Sequence, residues 1–135
     1  MKQKRQRLLA LVQGIYFLIS GVWPILNMNS FIAVTGPKES LWLVNTVGVL
    51  ILVTGLVLLM AAARGRISPE VFFLAVGNAI GLAIIEVVYV FDGRIAPIYL
   101  VDAVVEIILV LAWFRTLTLR EPVREGTPPE PPAGP

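Results

Sequence analysis

Four apolar stretches dominate this chain, each close to the ~20 residues an α-helix needs to cross the hydrocarbon core of a bilayer. They cover about residues 8–26, 41–63, 70–91 and 95–114. Each is too long and too evenly apolar for a barrel strand, and in lipid every backbone N–H and C=O needs a partner within the protein. The expected fold is therefore all-α: a four-helix transmembrane bundle, up-down-up-down, over residues 1–119. Composition agrees, with 57% hydrophobic and 15% charged residues, where a soluble domain averages about 45–50% and about 25%. The mean hydropathy is +0.83. A water-soluble domain of 135 residues could not hide so much apolar surface, so lipid is expected to cover much of it.

Turn signals separate the stretches. Asn27-Met28-Asn29-Ser30 and Thr35-Gly36-Pro37 break the chain after the first, and Arg64-Gly65-Arg66 ends the second. Ser68 is placed as the N-cap of the third helix, with Pro69 at its first position and Glu70 near its positive end. Asp92-Gly93 predicts a tight turn that makes the third and fourth helices antiparallel neighbours, with Pro97 in the first turn of the fourth.

Lys and Arg orient the topology. Lys2, Lys4, Arg5, Arg7, Arg64, Arg66, Arg115, Arg120 and Arg124 fall on one side, and only Lys38 and Arg94 on the other. Positive charge accumulates on the cytoplasmic side of a membrane, so both termini are expected there. Trp23, Trp42, Tyr89 and Tyr99 would line the outer interface and Trp113 the inner one. The first stretch has a basic start but no Ala-x-Ala-like cleavage site, which predicts an uncleaved anchor. Residues 120–135, rich in proline and without aromatic residues, are expected to be a disordered or polyproline-like cytoplasmic tail.

Several chemistries are excluded at the outset. The chain has no cysteine and no histidine, which rules out thiol redox cycles, thiolate metal sites and the usual Ser-His and Cys-His nucleophile–base pairs. No metal site and no cofactor are expected. The net charge of +2 sits at the edges of apolar stretches and not along one face, so nucleic acid is not an expected partner.

Small residues recur at helical spacing. Gly77 and Gly81 form a G-x-x-x-G extended by Ala83, while Gly14 and Gly21, and likewise Gly48 and Gly55, lie seven apart. Such residues let helix backbones approach closely in lipid, and packing within the chain is favoured here over a seam between two copies.

Three acids fall inside the apolar stretches: Glu86 in the third, Asp102 and Glu106 in the fourth. A charged side chain at the bilayer centre costs about 2.5–3.5 kcal/mol on insertion scales, so such residues face a cavity, a relay or a partner and not lipid. Asp102 and Glu106 are four apart and share a helix face, with Tyr99 one turn earlier. At a rise of ~1.5 Å per residue, Glu86 lies ~7–8 Å below the outer end of its helix, Asp102 ~10 Å and Glu106 ~16 Å. With Asn45 and Thr46 of the second stretch and Ser20 of the first, they outline a polar pocket opening outward. Asn78 lies deeper, where a hydrogen bond between helices is expected. Arg94 and Lys38 at the outer rim could reach inward, Arg94 toward Asp102 or Asp92. Without a matching cation, at least one acid is expected to hold its proton at neutral pH, since burial and a like-charged neighbour both disfavour the charged form.

Two segments, Ser30-Phe31-Ile32-Ala33-Val34-Thr35-Gly36-Pro37-Lys38 and Gly93-Arg94-Ile95-Ala96-Pro97-Ile98-Tyr99-Leu100-Val101-Asp102, resemble a group of short, uncharacterised bacterial four-helix integral membrane proteins. The resemblance covers most of the chain except the tail. It implies a bacterial cytoplasmic (inner) membrane and no particular activity. The layout is also similar, in architecture alone, to the EXPERA group of sterol isomerases and sigma-2-like proteins. Small multidrug transporters share the length and four spans but use a glutamate in the first span, where this chain has Gln13.

Three functions fit these residues. In the first, the acidic pocket binds or processes an apolar small molecule, such as a lipid or isoprenoid, with Glu86, Asp102 and Glu106 as polar contacts or acid–base groups. In the second, the protein is a non-catalytic accessory subunit or assembly factor whose acids dock onto a membrane protein partner. The third is a small proton-coupled transporter. Catalysis itself is left open, as is self-association into a homo-oligomer.

Overall fold

The computed structural model describes residues 1–119; the expected tail lies outside the described residues. Five α-helices and no strand occur among them: α1 (Lys2–Leu26), α2 (Met28–Thr35), α3 (Leu41–Arg64), α4 (Pro69–Phe91) and α5 (Tyr99–Leu117). Three of these, α1, α3 and α4, are long and apolar enough to cross a membrane. The fourth expected span becomes α5, a helix of 19 residues that carries Asp102, Glu106 and Arg115. It starts at Tyr99 and not near Ile95, because a residue before proline is held out of the helical region. Ala96 and Pro97 therefore lie in the approach, where their carbonyls accept from the N–H of Tyr99 and Leu100.

α2 was not anticipated. The chain does break at Asn27, but for one residue only. Asn27 Oδ1 accepts from the N–H of Ser30 at 3.0 Å, so the polar cluster read as a break is the N-cap of a new helix. Trp23 Nε1 donates to Ser30 Oγ at 2.9 Å, and the Trp23 and Phe31 rings meet edge-on at 5.5 Å, which fastens α2 to the end of α1. The other boundaries follow the sequence closely. Ser68 Oγ caps α4 by accepting from Val71 N–H at 3.4 Å. Gly65 ends α3 at a φ of 74° and Gly93 ends α4 at 71°, left-handed conformations that favour glycine.

Packing divides into two antiparallel pairs, α1 with α3 and α4 with α5, joined mainly through α1 and α5. In the first pair the glycines act together. A Cβ at Gly21 would stand 2.5 Å from the Gly48 carbonyl oxygen, and one at Gly55 would stand 2.8 Å from that of Gly14, so backbone lies directly on backbone. Gly48 and Gly55 thus lie in a close helix–helix contact.

Gly77 and Gly81 do not. A Cβ at either would meet nothing within 4 Å. The stripe of α4 that is buried is instead Ala75, Ala79 and Ala83, extended by Val76 and Glu86. Those alanines repeat every four residues, out of phase with the glycines, and they supply the small contact surface.

The apolar core gathers at the end where α3 passes into α4, from Ala10, Phe17, Leu58, Ala61, Ala62, Ile67, Ala75, Val76 and Trp113. Trp113, expected at a membrane interface, is fully buried there. Its ring meets Phe72 edge-on at 5.5 Å. Away from the core the helices present large apolar side chains outward, among them Leu50, Phe73, Ile84, Val104 and Leu111, a surface suited to lipid.

A polar seam runs beside the core. Gln13 is fully buried; its Nε2 donates to the Ala75 carbonyl at 2.9 Å and its Oε1 accepts from Trp113 Nε1 at 2.7 Å. Two turns nearer the N-terminus, Gln6 Nε2 donates to Thr116 Oγ1 at 3.0 Å, and that hydroxyl donates to the Trp113 carbonyl at 2.7 Å. These bonds tie α1 to α4 and α5 in one register.

Candidate functional site: a buried acidic cluster

Two helices, α4 and α5, carry the acids. On α5 the buried positions are Ala103, Glu106, Leu109, Trp113 and Thr116, so Glu106 shares the face that reaches α1 through Trp113. On α4, Glu86 ends the alanine stripe. Asp102 lies one turn above Glu106 and is half-buried. Glu86 is 6% exposed and Glu106 1%, and Glu106 lies within Coulomb reach of both Asp102 and Glu86. The register set by Gln6–Thr116 and Gln13–Trp113 brings Glu106 level with Tyr16–Ser20 of α1. The acids therefore occupy the half of the molecule opposite the polar seam.

Their bonding is incomplete. Glu86 Oε2, Asp102 Oδ1 and Glu106 Oε2 are each buried without a hydrogen-bond partner. A buried polar atom left unpaired costs about 1–3 kcal/mol, more when charged. Three at one place in a chain of this size is a large unmet demand for donors.

The expected cations do not meet it. Arg94 is exposed in the α4–α5 connection and pairs with Asp92 at 2.9 Å, with the two side chains 69% and 60% exposed. It is therefore not part of the cluster. A surface pair of this kind contributes about 0–1 kcal/mol, so Arg94→Ala is expected to shift the thermal midpoint by no more than a few degrees, read by a melt in detergent. Lys38 is held elsewhere too. Its Nζ donates to the carbonyls of Thr35 and Gly36, both at 2.9 Å, at the negative end of α2. It also lies 5.1 Å from the centre of the Tyr99 ring and pairs with none of the three acids.

Of the sequence-selected pocket residues, Glu86 and Asp102 both lie near Glu106, while Tyr99, one turn before Asp102, is half-buried against Lys38. Asn45 lies exposed on α3. Thr46 returns its hydroxyl to the Trp42 carbonyl, and Asn78 Nδ2 donates to Leu74 O of its own helix and not across helices. Gln6 and Gln13 were missed as an organising pair. Their spacing of seven, on the face that also holds Ala10 and Phe17, was the available signal.

A groove of about 410 Å³ runs between α4 and α5, lined entirely by apolar side chains including Ile80, Ala83, Val87, Ile107 and Val110. Ala83 precedes Glu86 by one turn and Val110 follows Glu106 by one turn. Neighbouring turns of the same two helices thus carry the groove and the unpaired carboxylates, although none of the three acids lines the groove itself. No known protein family, curated protein or solved structure matches the chain.

Proposed function

We propose that the protein is a four-helix transmembrane bundle, α1, α3, α4 and α5, in a bacterial cytoplasmic membrane, with both termini in the cytoplasm. Its acidic cluster binds or processes an apolar small molecule. The nine-to-two division of Lys and Arg supports the orientation. The observation that carries the binding function is the set of three buried, unpartnered carboxylate oxygens on Glu86, Asp102 and Glu106. A ligand suited to them has a lipid- or isoprenoid-like body for the apolar groove and a head that donates hydrogen bonds, such as a hydroxyl or an amine. Glu106 and Asp102, on one face of α5, would grip that head, and Glu86 would approach it from α4.

Native mass spectrometry of protein released from membranes tests this. The wild type is expected to retain a co-purifying small amphiphile that Glu106→Gln and Asp102→Asn lose while keeping their helical content. Equal retention by both variants would overturn the assignment. The same demand for donors yields a stability prediction. Glu106→Leu removes an unpaired buried group and is expected to raise the thermal midpoint of ligand-free protein, by about 1–3 kcal/mol of unfolding free energy.

One observation favours a second function, an accessory subunit of a larger membrane complex or a homo-oligomer. The Gly77/Gly81 face of α4 has nothing packed against it, and a close-packing motif of this kind suits a helix of another protein. A stoichiometric partner retained in mild detergent and lost in Gly81→Leu would favour it.

A further inference from the structure

At the end of the molecule remote from the acids, a second cleft opens between α1 and α3, with a volume of about 650 Å³. Lys4, Arg5 and Arg7 stand at its mouth, and Leu8, Leu59 and Ala62 are among the residues that wall it. Two observations give it a direction. Lys4, Leu8 and Leu11 lie at i, i+4 and i+7, so one face of α1 runs from a cation straight into apolar side chains, with Leu8 59% and Leu11 43% exposed. Arg7 is anchored across the cleft, its Nε donating to the Ala62 carbonyl at 2.6 Å at the end of α3. Its position is thereby fixed while its terminal nitrogens remain available.

Among the described residues no acid lines the cleft or pairs with these cations. Among the described residues the one ion pair is Arg94 with Asp92, at the other end of the molecule. Three cations with no acid among the described lining residues, above an apolar wall where the first membrane-crossing stretch begins, match an anionic head on an acyl chain and not a free anion, which would gain nothing from the leucines.

We propose that this cleft is a binding site for an anionic phospholipid of the leaflet at that end, its phosphate held by Lys4, Arg5 and Arg7 and its acyl chain lying along Leu8, Leu11 and Leu59. The site is separate from the acidic cluster and does not depend on that cluster's function.

Titration of the full chain in detergent with dioleoylphosphatidylglycerol, followed by native mass spectrometry, tests it. One lipid is expected to bind and to survive activation that strips dioleoylphosphatidylcholine. The double variant Lys4→Gln/Arg5→Gln is expected to weaken binding about tenfold. Arg115→Gln, which removes an exposed cation outside the cleft, is expected to leave it unchanged. Inorganic phosphate at the lipid's concentration is expected not to compete. Equal retention of the two lipids, an Arg115→Gln effect as large as that of the double variant, or displacement by phosphate would each overturn the proposal.

Discussion

Gly21→Val is expected to take the α1/α3 pair apart. A Cβ at this position would lie 2.5 Å from the Gly48 carbonyl oxygen, 2.7 Å from the Leu52 backbone nitrogen and 3.0 Å from its Cα. All three are backbone atoms, so no side-chain rotation can relieve the clash, and the helices must separate. Separation would also undo the Gly14–Gly55 contact on the same seam. A loss of about 3 kcal/mol or more is expected, at or beyond the upper end of overpacking effects. Gly77→Ala on α4 is the control. It enters open space and gains helix propensity of up to about 1 kcal/mol. Thermal or denaturant unfolding in detergent should show the first variant strongly destabilised and the second unchanged or improved. A wild-type melting curve for Gly21→Val would exclude the close approach.

Gln13→Ala is expected to have the next largest effect. Gln13 has no exposed surface and bonds both the Ala75 carbonyl and the Trp113 indole N–H. Removing it leaves the indole donor buried without a partner, about 1–3 kcal/mol, and opens a cavity among three helices, for a total of about 3–5 kcal/mol. A double-mutant cycle separates the two contributions. Gln13→Leu keeps most of the volume but strands the indole; Gln13→Leu with Trp113→Phe removes both partners and is expected to recover much of the loss. Strictly additive effects would show that the 2.7 Å bond contributes little.

These two positions show how the residues of the chain divide between the obvious and the hidden. Gly21 was visible as one of a pair of glycines seven apart, and its role followed. Gln13 was equally visible as the only polar residue in its part of the first stretch, yet nothing local shows that its partner is Trp113, 100 residues away. The acidic cluster lies between these cases. Asp102 and Glu106 share a face because a helix has 3.6 residues per turn, and the Asp92-Gly93 turn brings Glu86 beside them. Those relations are local. Asn45 and Arg94 depended on how separate elements meet, and there the structure differs. Asn45 lies on an exposed part of α3, and of the two partners the sequence offered it, Arg94 takes Asp92, within its own connection, and not Asp102. Lys38 was taken up by α2, a helix hidden in what read as a break because its N-cap residue, Asn27, is also a common turn residue.

What the sequence determined by itself was the inventory: all-α structure, the extent of α1, α3 and α4 to within a few residues apart from the basic start of α1, the N-cap at Ser68, the break at Gly65, the turn at Asp92-Gly93, and the presence of three acids on α4 and α5. What only the tertiary structure decided was the phase of each helix, meaning which of its apolar faces turns inward. In a soluble protein the contrast between polar and apolar faces announces that phase. Where lipid and protein interior are equally apolar, the contrast disappears, and the choice passes to steric fit and a few hydrogen bonds. That is why Ala75, Ala79 and Ala83 are buried and the more conspicuous Gly77 and Gly81 are not, and why two buried glutamines set the register of α1 against α5.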